Sequence, residues 1–409
     1  MNLRQAEDYL LGLELFGMRF GLDRMHKLMT VLGMPQRRFA TIHVVGTNGK
    51  SSTTRMTAAI LERHGLATGS YTSPHLRGFP ERIEIRERAL DGGAFAAAVA
   101  RAAHAAELVN RTLSDGDEVT QFEALTAAAY HALAAAGVDV AVIEAGLGGR
   151  YDATNVIPSK VQVLTSVGLD HTRWLGSTVA EIADEKLAVV RDHATLVLPP
   201  ELPAEVEPIA ERVASGHHAR VVRAQAGLGL PLAARGAFQR RNFALAAATA
   251  EAFLEREPDQ DALRSAAAET TVPGRMEAVS EDPLVIHDGA HNPAGAAALA
   301  EALPEMTGDR RVVGVISILD DKDAPAMLGA LLPVLDEVVF TRTSNPRALP
   351  PATLAHLARR EAETVADPCA ALQRARELAG PNGAVVATGS IYLIADLVRE
   401  PGQARASMI

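Results

Sequence analysis

The chain contains a single cysteine, Cys369, which excludes an intramolecular disulfide framework and fits a reducing compartment. No apolar run approaches the roughly 20 residues needed to cross a bilayer. The opening MNLRQAEDYL lacks a basic stretch followed by an apolar core, so neither a membrane span nor a secretory leader is expected, and a cytoplasmic protein is. Positive charge is also short. Forty Lys and Arg stand against fifty Asp and Glu, a net charge of −10, and that balance repels a phosphate backbone, so nucleic acid is not an expected partner. Fixed-period repeats, low-complexity tracts and coiled-coil heptads are missing, and no long amphipathic element implies an obligate partner, so a monomer is expected.

Lysine is the scarcest charged residue. It occurs only as Lys27, Lys50, Lys160, Lys186 and Lys322, so almost all positive charge is arginine. Arginine is a fixed, always-charged fork, whereas lysine can lose its proton and act as an amine. A retained lysine therefore marks a position where an amine has a use. Chance accounts equally well for Lys27 and Lys160.

What is present describes a globular protein, with 48% hydrophobic and 22% charged residues. Its 409 residues exceed one ordinary core, and two domains are the natural division. Short β-branched runs (TIHVV at 41–45, VDVAVIEAG at 138–146, KVQVLTSVG at 160–168) alternate with alanine-rich helical stretches, the pattern of parallel α/β units. Residues 92–136 read as two helices broken near Ser114–Gly116, 194–223 as another β/α pair, and 238–269 as helices. TVPGR at 271–275 and SEDP at 280–283 punctuate the chain, which places a boundary near 280. Beyond it LVIHDGAHNP, RRVVGVISI, DEVVFTRT and GAVVATGS restart the rhythm. The expected architecture is α/β: a P-loop-type parallel-sheet ATPase domain over 1–280 and a smaller Rossmann-like α/β domain over 281–409.

The segment from His43 to Ser52 joins an apolar strand to a helix through Gly46, Thr47, Asn48, Gly49, Lys50, Ser51 and Ser52. Glycines let backbone N–H groups wrap an anion, a helix N-terminus adds its dipole, a lysine reaches outer phosphates and a hydroxyl can ligate Mg²⁺. The full GxxxxGK[ST] pattern is not met, because Val44 occupies its first position. Two later strands end in Glu144 and in Asp170-His171. Parallel strands meet at one carboxyl edge, so Ser51, Glu144 and His171 can converge there, and hard oxygens suit Mg²⁺. A solvent-side histidine is the plainer account of His171. Lys186 follows on a helix. It reads either as a surface lysine paired with Glu181 or Glu185, or as a desolvated amine able to take up CO₂ as a carbamate, an anionic oxygen donor.

Taken together these strings resemble the folylpolyglutamate synthases, which in bacteria are often also dihydrofolate synthases, within the Mur ligase superfamily. HVVGTNGKSS is similar to that family's phosphate loop and YTSPHLRGFPERIEI to its folate-side segment. TQFEALTAAAY, EAGLGGRYDATN, TSVGLDHTRWLG, EIADEKLAVV, QRRN, PGRME, HDGAHNPAG, DDKD, NPRALP and ATGSIYL follow in family order, from FGLDRM at 20–25 nearly to the end. The resemblance implies that the Gly46–Ser52 loop, Asn242, Arg275, Asp288 and His291 hold ATP. It implies one Mg²⁺ on Ser51 and Glu144 and a second on Glu144, His171 and carbamylated Lys186, with Lys50, His171 and Lys186 serving catalysis. It places Ser73, Pro74 and His75 beside the path of the folate and its glutamate tail. Two departures stand out: Ser52 where the family carries glycine in GKGS, and Phe238 where it carries histidine in GxHQxxN.

The implied reaction is ATP-dependent ligation of L-glutamate to a folate or to dihydropteroate through an acyl phosphate, with Lys50 and Arg275 neutralising charge. Two domains closing on the site keep water from that intermediate, and Arg347 is a further candidate to complete the site on closure. Rival readings are another Mur-type amino-acid ligase, a P-loop phosphotransferase, and a non-catalytic binding module.

Overall fold

The computed structural model describes residues 1–13 and 21–399. Phe20, where the family-like stretch begins, and the last ten residues of the expected second domain lie outside them. The described residues form two sheets. The first contains β1 (Ala40–Val45), β2 (Thr68–Tyr71), β3 (Ile83–Ile85), β4 (Arg88–Ala89), β5 (Val140–Glu144), β6 (Val161–Leu164), β7 (Thr195–Leu198) and β8 (Arg220–Arg223). Its spatial order is β4-β3-β2-β5-β1-β6-β7-β8. Strands β2 and β5 to β8 run parallel with β1, and β3 and β4 add an antiparallel edge at one side.

Central strands buried on both faces need continuous apolar runs. That explains why β5 is buried along its whole length. The helices Lys50–Arg63 and Ala237–Leu254 cover one face through Met56, Ile60, Leu61, Phe243 and Leu245 among many alanines. Gly92–Asn110 and Gln121–Ala135 cover the other, around Phe95, Leu125 and Tyr130. Small side chains let these helices lie close to the sheet. Gln121–Ala135 starts with a capping box, Thr120 accepting from the Glu123 N–H while the Glu123 carboxylate accepts from the Thr120 N–H at 2.9 Å.

The second sheet contains β9 (Glu277–Glu281), β10 (Leu284–His287), β11 (Val312–Ile316), β12 (Glu337–Phe340), β13 (Glu363–Thr364) and β14 (Ala384–Thr388), in the order β13-β12-β11-β14-β10-β9. It is parallel except for β9, which pairs antiparallel with β10. The punctuation at 280–283 is therefore the hairpin turn between β9 and β10 and not a linker. The chain passes from one sheet to the other upstream, between the helix Gln260–Glu269 and Glu277. Among the described residues no helix is long and apolar enough to cross a membrane.

Candidate active site

Strand register brings the functional ends level. Val44 pairs with Glu144, and Val45 pairs with Leu164, so the loops after β1, β5 and β6 leave the sheet side by side. The phosphate loop rises between the other two. Gly49 turns it into the following helix at φ 86°, a left-handed conformation that glycine adopts freely, and a Cβ there would meet the Asn242 Oδ1 at 2.6 Å. At Gly46 a Cβ would collide with the Thr165 hydroxyl. The loop is fastened to the β6 loop instead: Thr165 Oγ1 and Ser166 Oγ donate to the Asn48 carbonyl at 2.7 and 3.0 Å, and the Thr47 N–H donates to the Ser166 carbonyl at 2.8 Å.

Three charged groups crowd around this loop. Lys50 Nζ donates to the Gly46 and Thr47 carbonyls at 3.1 and 3.3 Å. Glu144 is 2% exposed, accepting from Ser51 Oγ at 3.0 Å and from the Ser73 N–H at 3.1 Å. Burial raises its pKa, while Lys50, the Ser73 N–H, Ser51 and Arg275 oppose that rise. Lys186 is 4% exposed, with Nζ donating to the Gly46 carbonyl at 2.8 Å. Burial first, then the Lys50 charge, brings its pKa down to about 7. The surface-lysine account of Lys186 is thereby overturned. Glu181 is occupied by Ser177 and Thr178 at its own helix start, and Glu185 by Arg150, because helix Val179–Leu187 turns Lys186 inward and those carboxylates outward.

His171 stands at φ 50°, an uncommon conformation for a non-glycine residue. Burial lowers its pKa to about 4, Asp170 works against that, and Lys322, His291 and Lys50 add to it, so the ring is neutral and able to ligate. Asp170 meets the second domain. Its Oδ1 lies 2.7 Å from Lys322 Nζ, and its Oδ2 accepts from Asn292 Nδ2 at 3.1 Å and lies 3.6 Å from His291 Nε2. Burial alone would raise this carboxyl, but His291, His171 and Lys322 overcome it and hold the group well below the ordinary carboxylate range. Asp288 is buried, accepting from the Met276 and Ala290 N–H groups at 2.9 and 2.8 Å beside Arg275.

Apart from the buried Asn292 amide, these side chains open onto one cleft of about 1280 Å³ between the sheets, larger than the ~300–1,000 Å³ of a typical single-ligand site. The arrangement offers a preformed anion cradle, a buried carboxylate beside a hydroxyl, and a readily deprotonated amine and a neutral imidazole in reach of the same space.

The Mur ligase middle-domain model matches residues 44–207, and the Mur ligase glutamate ligase domain model matches 274–391. The dihydrofolate synthase/folylpolyglutamate synthase of Mycobacterium tuberculosis is 39% identical over 368 residues, covering 80% of this chain and 75% of that protein. The chain belongs to the dihydrofolate synthase/folylpolyglutamate synthase family of Mur ligases. It is similar in structure to Mycobacterium tuberculosis folylpolyglutamate synthase complexed with ADP and AMPPCP, with TM-score 0.88, 34% identity, and 97% of this chain and 98% of that one covered. It is similar also to the bifunctional enzyme of Yersinia pestis complexed with AMPPNP and Mn ion, with TM-score 0.85, 29% identity and 97% of each chain covered.

Against this family frame the sequence-predicted residues divide. The loop from Gly46 to Ser52, Ser73, Pro74, Glu144, His171, Lys186, Asn242, Arg275, Asp288, His291 and Arg347 all line the cleft. His75 does not. It is 2% exposed, accepts from Arg82 Nε at 2.9 Å through Nδ1, and lies 4.5 Å from the Phe79 ring, so it supports the turn instead of facing the cleft. Phe238 in place of histidine packs against the core of the second domain. Among the described residues no three His, Cys, Asp or Glu side chains stand together as a metal cage. The sequence singles out Asp170 and Lys322 without a partner, and it does not foresee Asn292 as the residue joining the second domain to Asp170; nor does it foresee Phe122, Tyr151 and Trp174 along the cleft wall. Their sequence signal is membership of the quoted motifs: Phe122 lies in TQFEALTAAAY, Tyr151 in EAGLGGRYDATN, Trp174 in TSVGLDHTRWLG and Asn292 in HDGAHNPAG.

Proposed function

We propose that this cleft is the active site of an ATP-dependent ligase that adds L-glutamate to folate and to dihydropteroate. The carrying observation is the convergence of Glu144 and Lys186, distant in sequence, on the Gly46–Ser52 loop that carries Lys50 and Ser51. The acceptor carboxylate attacks the γ-phosphorus of ATP, giving an acyl phosphate and ADP. The glutamate amine then attacks the acyl carbon and phosphate leaves.

In this reading Lys50 and the N–H groups of Gly46–Ser52 hold and orient the triphosphate, since phosphoryl transfer needs positioning and charge neutralisation more than covalent help. Asn242, Arg275, Asp288 and His291 contact the nucleotide, the first two from the first sheet's side and the others from the second. Ser73 and Pro74 border the acceptor. The domains, divided between 270 and 277, close to exclude water from the acyl phosphate.

A metal fits these residues. Ser51 and Glu144 present a hydroxyl and a carboxylate 3.0 Å apart, hard oxygens suited to Mg²⁺, which shares its ligands with substrate phosphates. Mg²⁺ supplies charge neutralisation on the phosphates when bound. A second ion fits Glu144, His171 and Lys186 once Lys186 carries CO₂. A buried amine with its pKa brought down to about 7 is about half unprotonated at neutral pH, and the unprotonated form reacts with CO₂ to give a carbamate and release a proton. We further assign the protein to the cytoplasm as a monomer, acting on small molecules and not on nucleic acid or membranes.

Mass spectrometry of products from dihydropteroate and tetrahydrofolate, each with ATP, Mg²⁺ and L-glutamate, tests the reaction. Glutamate addition to either is expected, and two unaltered acceptors would refute it. Growth of a carbamate carbon signal with ¹³C-bicarbonate, lost in Lys186→Arg, tests the modification.

A further inference from the structure

The substrate chemistry leaves unexplained one fully bonded side chain where the two domains meet. Asn292 begins the helix Pro293–Thr307, and its Oδ1 accepts from the Gly295 N–H at 2.8 Å, an ordinary N-cap. A cap needs nothing more. Yet the same Oδ1 accepts from Asn48 Nδ2 at 3.1 Å, and Nδ2 donates to Asn48 Oδ1 at 3.0 Å and to Asp170 Oδ2 at 3.1 Å. Two donors and two acceptors are all engaged. Three of the four bonds cross from the second domain to the first, and the side chain is 2% exposed.

The two partners are not neutral ground. Asn48 is the middle of the phosphate loop, its carbonyl held by Thr165 and Ser166. Asp170 lies on the same β6 loop and takes Lys322 of the second domain on its other oxygen. We propose that Asn292 is a positioning residue, whose amide joins the second domain to Asn48 and Asp170 so that domain closure and alignment of the phosphate loop occur as one event. The physical reason is saturation. A partial opening strips the buried amide of three of its four bonds and leaves Asp170 with the His171 N–H but without Asn292 and Lys322, which costs more than those bonds are worth in water, so intermediate openings are disfavoured. This inference rests on the ligase reading for its purpose, but not for its geometry.

Two variants separate the latch from the cap. Asn292→Asp keeps an acceptor for the Gly295 N–H but sets a carboxylate against Asp170 and the Asn48 oxygen. Asn292→Ser keeps a capping hydroxyl and removes the cross-domain bonds. Small-angle scattering of the nucleotide-free full chain reads closure directly, with circular dichroism as the check on folding. Wild type is expected to scatter as the closed form, and Asn292→Asp to show a larger radius of gyration. Asn292→Ser should lie between. KM for L-glutamate, which must be captured between the domains, is expected to rise by ~10-fold or more. Damage confined to the helix lowers the active fraction and leaves KM unmoved. Folded variants that scatter as wild type does overturn the proposal, and should Asn292→Asp not fold, Asn292→Ser decides alone. Opening in a protein whose wild type ligates no glutamate upholds the latch while removing the ligase reading.

Discussion

The two faces of the cleft are built differently. On the first-sheet face, Lys50, Glu144 and Lys186 find every hydrogen bond within their own domain, on Gly46, Thr47, Ser51 and Ser73. On the opposite face Asn292 makes three of its four bonds, and Lys322 its shortest ion pair, across the gap, with Asn48 and Asp170. The first face is complete before any substrate arrives, so burial can hold its amine and carboxylate at shifted pKa values. The second face is complete only when closed. A ligase with a hydrolysable intermediate has a use for both: a rigid half for the phosphates, and a half whose bonding reports closure.

That contrast sets the scale of what substitutions should do. On the rigid face Lys186→Ala should lower kcat/KM by ~100-fold or more, and Lys186→Arg should recover nothing, because arginine forms no carbamate. An ADP-release assay showing wild-type rates would remove Lys186 from the chemistry. Glu144→Gln keeps the volume but removes the charge. It should cost ~10- to 100-fold and raise the Mg²⁺ concentration needed for half-maximal rate; an unchanged metal titration would count against the assignment.

The buried amine also leaves a mark on stability. The unfolded chain takes up a proton on this lysine below about pH 10.5, whereas the folded chain does so only near pH 7. Stability therefore falls as pH drops between those values and levels off below. Urea unfolding in CO₂-free buffer should find wild type losing roughly 2 kcal/mol relative to Lys186→Met between pH 9 and pH 7. Parallel curves would mean that the amine is not held neutral.

The smallest effect belongs to another contact between the domains. Arg240 and Glu305 bridge them at 2.8 Å, but each side chain is nearly half exposed. Solvent screens such a pair, so Arg240→Ala should change stability by less than ~0.5 kcal/mol and leave scattering unaltered. A large opening in Arg240→Ala would show that closure depends on surface charge and not on the buried amide.

Element type and order were readable from the chain itself. The apolar runs at 41–45, 138–146 and 160–168 contain the strands β1, β5 and β6, and 92–136 contains two helices, because doubly buried strands and helix-covered sheets impose their periodicity locally. The phosphate loop was readable for the same reason, being one contiguous segment of glycines, lysine and hydroxyls. The hairpin at 280–283 was not. A turn inside a sheet and a linker between sheets use the same proline, glycine and charge, and pairing partners distinguish them. Lys186 and His75 depended on packing too. Which way a helix faces and what a turn encloses are set by contacts made far along the chain, and these turned Lys186 into the site and His75 away from it. Local chemistry thus named the parts, while burial and long-range bonding assigned their neighbours, since both come into being only when the two sheets meet.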